Sequence, residues 1–406
     1  MKRAFGAALA IVIAFSISVT QQASAQTHGL DVHNLINPAS GGMGGTSLAR
    51  PQDVQSAIFG NPSTLAQFRG TQFSMGATWS EPTFDVNHTG ITGFTGPYAG
   101  KSSAQGCLLP TIGVTQDLSG LGIRGAIGAG LTTMSGVSEQ LTDQINSSGT
   151  HTEYLVLGFT LGAGLDLTDR LAFGASLTIG DGYAGGGFVS NSVVTHDYGL
   201  RGTFGLDYDL TCNTTIAGYY QTKMPYRYDN LVYYVPTTSF IDVEIDQPDN
   251  IGIGIANSSL MCGDLLLAAD VIYKSWDNCA YWRDLFEDQW VFSVGSQLTR
   301  GCCKYRVGYA FSDSPIDRNP GGTINGYVFG QQLVEYYQAT QAGVISQHRI
   351  TGGIGFEDVL PGVTVDLFAG AMLPESHQFG THTGASLKVW YIGGGVTWKF
   401  GSKCSN

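Results

Sequence analysis

Arg124, Arg201, Lys274 and Arg306 each stand in or beside a segment where apolar residues alternate with small or polar ones, on the side away from the apolar face. Alternation with period 2 marks a β-strand with two unlike faces. These four, with Lys223, Lys304, Arg349, Lys388 and Lys399, are therefore expected to share one inner surface. The chemistry open to a cation there is to hold a carboxylate, because an unpaired buried charge is very costly. Asp166, Asp207, Asp270 and Asp366 fall on the same inner side, so pairing within the protein competes with pairing to a ligand.

Seven cysteines are an odd number, and Cys212, Cys262, Cys302, Cys303 and Cys404 all fall in short connections or the C-terminal tail. In an oxidising compartment, one or two disulfides among Cys212, Cys262, Cys302 and Cys303 are expected to tie those connections together. No Cys-x-x-Cys spacing occurs, and no metal site is expected. The eight histidines are scattered, and there is no nucleophile elbow, His-Glu-x-x-His or P-loop. Neither enzyme chemistry nor a cofactor is expected.

The elements that must position these residues follow from composition. Glycine is abundant (57 residues) and charged residues are few (13%), which suits strands facing an apolar medium on one side and a packed interior on the other. Met1-Lys2-Arg3, the apolar run Ala4 to Val19 and Ala23-Ser24-Ala25 read as an export leader over residues 1–25. Beyond Val19 no apolar run reaches the roughly 18 residues of a spanning helix. A formal net charge of -12 gives no basic surface for phosphates, so no nucleic-acid partner is expected. An exported, strand-rich chain without a membrane helix points to an all-β transmembrane antiparallel barrel in an outer membrane of Gram-negative type, in contact with its lipid, and expected to be monomeric.

The alternation is plainest at Leu155, Leu157, Phe159, Leu161, Ala163, Leu165 and Leu167 against Val156, Gly158, Thr160, Gly162, Gly164 and Asp166. Similar segments run from Phe73 to Phe400 and number about fourteen, each near the roughly 10 residues that cross a bilayer at a tilt. Connections alternate between short ones, such as Thr168-Asp169-Arg170, and long ones, including Glu81 to Leu108, Ser312 to Gln347 and Leu373 to Leu387. The expected organisation is a leader (1–25), an N-terminal hatch (26–70), a barrel (71–400) and a tail (401–406). The hatch is marked by Gly41, Gly44 and Gly60-Asn61-Pro62, where Asn can bond its own backbone and Pro fixes φ. Three long connections are unusually apolar: Leu231-Val232-Tyr233-Tyr234, Trp282 with Phe286, and Tyr327 with Phe329. Exposed apolar patches of this kind mark interaction sites.

Four stretches carry a resemblance to a known family: GGMGGTSLARPQDVQSAIFGNPSTLAQFRGTQFSMGATW, DQPDNIGIGIANS, DVIYKSWDNC and YRVGYAFSDSPID. In these the chain resembles the FadL family, outer-membrane transporters of long-chain fatty acids and other hydrophobic compounds. The resemblance implies a fourteen-stranded barrel plugged by an N-terminal hatch. It also implies capture of a hydrophobic ligand by apolar outer loops, an inner pocket, and lateral exit at a kink in the third strand. The chain departs from the family at Ser63, where alanine is usual, in lacking a third-strand proline, and in the residues GSKCSN that follow Phe400. Gly125, Gly128 and Gly130 are the residues expected to bend the third strand. Two other readings remain open: a channel for polar solutes, and a structural or adhesive surface barrel.

Overall fold

The computed structural model describes residues 35–186, 194–342 and 344–400. The expected leader, the first residues of the hatch, and the tail with Cys404 lie outside the described residues. Fourteen antiparallel strands close into one barrel. The first seven are β1 Thr71–His88, β2 Cys107–Asp117, β3 Gly125–Gln140, β4 His151–Asp166, β5 Leu171–Gly185, β6 Thr195–Thr211 and β7 Thr214–Gln221. The second seven are β8 Asp249–Leu260, β9 Leu265–Ser275, β10 Gln289–Arg300, β11 Cys303–Ser312, β12 His348–Leu360, β13 Val363–Phe379 and β14 Thr383–Phe400. Each pairs with its neighbours in sequence, and β14 pairs back onto β1 along its whole length, from Thr383 opposite His88 to Phe400 opposite Thr71.

Alternation sets the two faces of the wall. Leu161, Leu177, Phe204, Ile253, Val294 and Ile392 are exposed on the outside, whereas Thr160, Thr178, Thr203 and Thr351 are buried inside. A closed sheet leaves no backbone donor or acceptor at a free edge, and with an apolar belt it is the form in which strands cross a bilayer. No helix of the described residues is long and apolar enough to do so.

The connections sort to two rims, with two corrections. The expected loop from Leu373 to Leu387 is instead a tall hairpin, β13 running on to Phe379 and β14 starting at Thr383. β1 likewise continues to His88, with Phe84, Val86 and His88 facing in while Asp85 and Asn87 face out. These extensions keep the period of a strand, but their outer face has turned polar, so they resemble loop in composition alone.

The barrel is filled from both ends. On the short-turn side, residues 35–70 lie in the lumen as a 3-10 turn Ser40–Met43, a helix α1 Val54–Phe59 and a 3-10 turn Pro62–Gln67. From the long-loop side, the segment between β11 and β12 folds inward as a helix α2 Gln331–Tyr337 continued by a π-turn Gln338–Ala342. Val334, Tyr336, Gln338 and Thr340 of that segment are buried.

Candidate functional site

The hatch is built on two capping side chains. Asp53 caps α1 by accepting the Ser56 N–H through Oδ1 at 2.8 Å, while its Oδ2 accepts the Ala39 and Ser40 N–H groups at 2.9 and 2.8 Å. One carboxylate thus ties the first turn to the helix. Asn61 caps the second 3-10 turn: its Oδ1 accepts from Ser63 N and Ser63 Oγ, and its Nδ2 donates to the Leu48 carbonyl at 2.9 Å. The Ser63 hydroxyl therefore has a partner in Asn61 itself. Pro62 follows at the first helical position, where a missing N–H costs nothing. Gly60 ends α1, and Gly41 packs beneath the Phe368 ring.

The wall is shaped to receive this segment. Gly44, with φ of 69°, donates its N–H to Thr351 Oγ1 at 2.9 Å, and a Cβ on Gly308 of β11 would fall on the Gly44 nitrogen. Asp270 of β9 accepts the Ser47 and Leu48 N–H groups at 2.7 and 3.1 Å. Gln67 donates to Asp207 of β6 at 2.6 Å, and Gln55 to Ser74 of β1 at 2.9 Å. Replacing Asp270 by alanine leaves two buried N–H groups without their acceptor, at about 1–3 kcal/mol each. Hydrogen exchange is expected to show faster exchange at Ser47 and Leu48 in D270A, and less so in D270N, which keeps an acceptor oxygen. Unchanged protection in D270A would count against Asp270 as an anchor.

Gly125, Gly128 and Gly130 do not mark the irregularity in β3. The β2–β3 ladder runs unbroken from Asp117 opposite Ala126 to Thr111 opposite Thr132, past all but the first of these glycines. Gly128 faces Ile58 and Leu65, and Gly130 faces Phe59, so they give room to the hatch. Pairing with β2 stops after Thr132. The next β2 residue is Pro110, which has no N–H to donate. On the other side of β3, Met134 is an extra residue: Thr133 stands opposite Leu157 and Ser135 opposite Val156. Such a bulge bends its strand. From Thr132 to Glu139 every β3 residue is buried, so both of its faces have left the outer surface.

The result is a seam in the wall. Cys107 to Pro110 of β2 stay paired with β1 alone, and β3 beyond Thr132 pairs with β4 alone. Leu155 of β4 packs against Cys107 and Leu109 of β2 and Ile36 of the hatch, across the place the straight strand would occupy. The seam closes at its long-loop end, where Ser103 N–H donates to the Gln140 carbonyl at 2.8 Å and Gln140 N–H to Ser102 Oγ at 3.0 Å.

Above the hatch, beside the bent part of β3, is a cavity of about 50 Å³. Its lining includes Val137 of β3, Tyr154 of β4, Leu231, Val232, Trp282 and Gln341. Of the loop residues singled out in the sequence, Leu231, Val232 and Trp282 reach it, and Phe286 stacks behind Trp282 with ring centroids 5.1 Å apart. Tyr234, Tyr327 and Phe329 form an outer aromatic group, and Tyr233 packs away from it on Phe240. Val243 and Ile245, also in the lining, had a period-2 signal in SFIDVEI. Gln341 had none, because a polar residue in a long connection looks like solvent-exposed loop. Tyr281 donates its hydroxyl proton to Gln341 Oε1. Burial pushes the Tyr281 phenol well above its usual range, so it stays the donor.

None of the four cations lines this cavity. Arg306 is buried against Asp366 at 2.6 Å and Gln297 at 2.7 Å, beside a polar well of about 280 Å³ on the short-turn side of the hatch. Arg201 donates to the Thr222 and Pro248 carbonyls at 2.8 and 2.7 Å. Lys274 is buried on β9. Arg124 is not in the lumen: it lies exposed at the rim, paired with Asp169 at 2.7 Å. Lys388 faces outward on β14.

The described cysteines are free thiols. Cys212, Cys262 and Cys302 sit in the turns after β6, β8 and β10. Those turns are two strand spacings apart, about 10 Å, beyond the ~7 Å Cα reach of a disulfide. Cys303 opens β11 with its sulfur 4.0 Å from that of Cys302.

A closed fourteen-stranded barrel that holds its own N-terminal segment is the FadL-type fold. Among solved structures, the chain is similar to a Pseudomonas aeruginosa FadL homologue, at 13% identity over 90% of this chain and 98% of that one, with a TM-score of 0.70. It is also similar to the P. putida toluene transporter TodX, at 18% identity, 90% and 98% coverage and a TM-score of 0.63. The Ralstonia pickettii toluene transporter TbuX follows at 16% identity, 90% and 98% coverage and a TM-score of 0.61. At these identities the likeness is one of fold. No family model and no curated protein matches the sequence.

Proposed function

We propose that the chain is an outer-membrane channel for passive uptake of small, neutral hydrophobic molecules. The observation that carries this reading is the cavity above the hatch: aromatic and aliphatic side chains surround it, and among the described residues its one charged lining group is the acid Glu153. A fatty-acid carboxylate buried there would lack the cation it needs. A hydrocarbon does not meet that penalty. TodX and TbuX, which share the fold, are described as toluene transporters.

In this reading ligand gathers on the aromatic group of Tyr234, Tyr327 and Phe329 and enters past Leu231 and Trp282. It leaves sideways through the β2–β3 seam, where Leu155 and Leu109 offer an apolar exit at the level of the belt. The hatch, residues 26–70, blocks the direct path, and residues 1–25 direct export. A cavity of about 50 Å³ is tighter than the ~150 Å³ that admits benzene elsewhere, so loop side chains must shift as ligand enters.

Uptake by a strain lacking its own hydrophobic-compound channels tests the reading. The chain is expected to restore uptake of labelled toluene and to leave uptake of dodecanoate at background. Restored dodecanoate uptake alone would overturn the neutral-ligand reading, and no change in either would favour a structural or adhesive barrel. A large steady ion current through the intact protein would favour a polar-solute channel.

A further inference from the structure

We propose that Trp282 makes the cavity selective for neutral hydrophobic molecules bearing one hydrogen-bond acceptor, such as an aryl ketone or aldehyde, over plain hydrocarbons. The inference rests on the uptake reading above and sharpens its ligand class.

Trp282 lines the cavity at 2% exposure, and its indole N–H is buried without a hydrogen-bond partner. Buried donors are nearly always satisfied, and one that is not calls for an explanation. Several of the polar groups around it already have other partners. Tyr281 donates to Gln341, Gln247 donates to the Tyr154 hydroxyl at 2.6 Å, and Thr152 donates to the Thr340 carbonyl at 3.2 Å. Four rings pack on the indole: Phe286 stacks on it, and Trp276, Tyr154 and Tyr281 meet it edge to face. A ring face is at best a weak acceptor for an N–H. The cavity is thus mainly apolar, Thr152, Glu153 and Gln341 apart, and the indole of one of its lining residues carries an unmet buried donor.

A ligand oxygen that accepts from that N–H removes the penalty of leaving it orphaned, whereas a hydrocarbon of the same shape does not. A carbonyl suits the site better than a carboxylate, because an indole donates one proton and brings no positive charge. Discrimination of about tenfold is expected from one such bond in a dry site.

The test is binding of acetophenone and ethylbenzene, which match closely in shape, to the full-length protein in detergent. Tryptophan fluorescence is the readout, and affinities are corrected for each compound's measured partition into micelles. The expected result is about tenfold tighter binding of acetophenone, with the ratio falling to near one in W282F. Equal affinities in the unsubstituted protein would overturn the inference, pointing to water as the partner of the indole, and leave the hydrocarbon-channel reading standing. A preference that survives in W282F would equally remove Trp282 from the role. If neither compound binds, the cavity reading fails along with the inference.

Discussion

Deletion of Thr27–Phe68 is expected to turn a barrel that passes no steady ion current in a planar bilayer into an ohmic pore. Eight strands make a barrel that side chains can fill, and sixteen or more leave an aqueous channel. At fourteen, the lumen needs added mass. Along the hatch, the wall withholds side chains: Gly128, Gly164, Gly174, Gly205, Gly254 and Gly308 each put bare backbone against it. Without the hatch these positions face empty space flanked by Asp207, Asp270 and Arg306, which water would enter readily. The wall itself should persist, because its ladders run strand to strand without using the hatch. The inward segment around α2 is the rival seal. If the shortened, folded barrel carries no more current than the intact one, and current rises only when residues 331–342 are also removed, the plug is that segment and the hatch has another role.

The second large effect concerns the seam. Removing Met134 together with P110V is expected to abolish uptake of toluene while leaving ligand binding in detergent intact. Met134 is the one residue that throws β3 out of register with β4, and Pro110 is the first β2 residue past the last β2–β3 pair. Deleting the one and giving the other an N–H lets the ladder continue beyond Thr111 opposite Thr132. The cavity contacts β3 chiefly at Val137, so most of its lining, Leu231 and Trp282 included, comes from elements that the change does not touch. Each single change is expected to have the smaller effect, because one obstacle to pairing remains. Uptake at the unsubstituted level in a double variant whose seam has closed, checked by protection of the Thr133 and Ser135 amides, would exclude lateral exit here.

Much of the architecture was legible in the chain because alternation is a local property. Leu155 to Leu167 declares a strand with a lipid-like face without reference to its neighbours, and the same holds around the barrel. Asn61-Pro62 was legible as a turn for the same reason, since cap and φ are set within a few residues. The tall hairpin of β13 and β14 was missed because its outer face is polar, although its period was present.

What the tertiary structure decided depends on partners distant in sequence. The same alternation that placed Arg306 on the inner face could not say that Asp366 would hold it, 60 residues on. Nor could it say that Arg124 would sit at the rim with Asp169. Gly128 and Gly130 looked like a kink and proved to be room for Ile58, Leu65 and Phe59, because a glycine's meaning is set by what approaches it. The real break in β3 needs Pro110 on one neighbour and the Met134 register on the other, so it is a property of three strands at once. By itself the sequence determined a closed wall and an irregular N-terminal segment set apart from it, since period and turn chemistry are written locally. Folding decided where strand pairing in the wall lapses and which side chains meet around the cavity, because pairing register and burial exist only between segments.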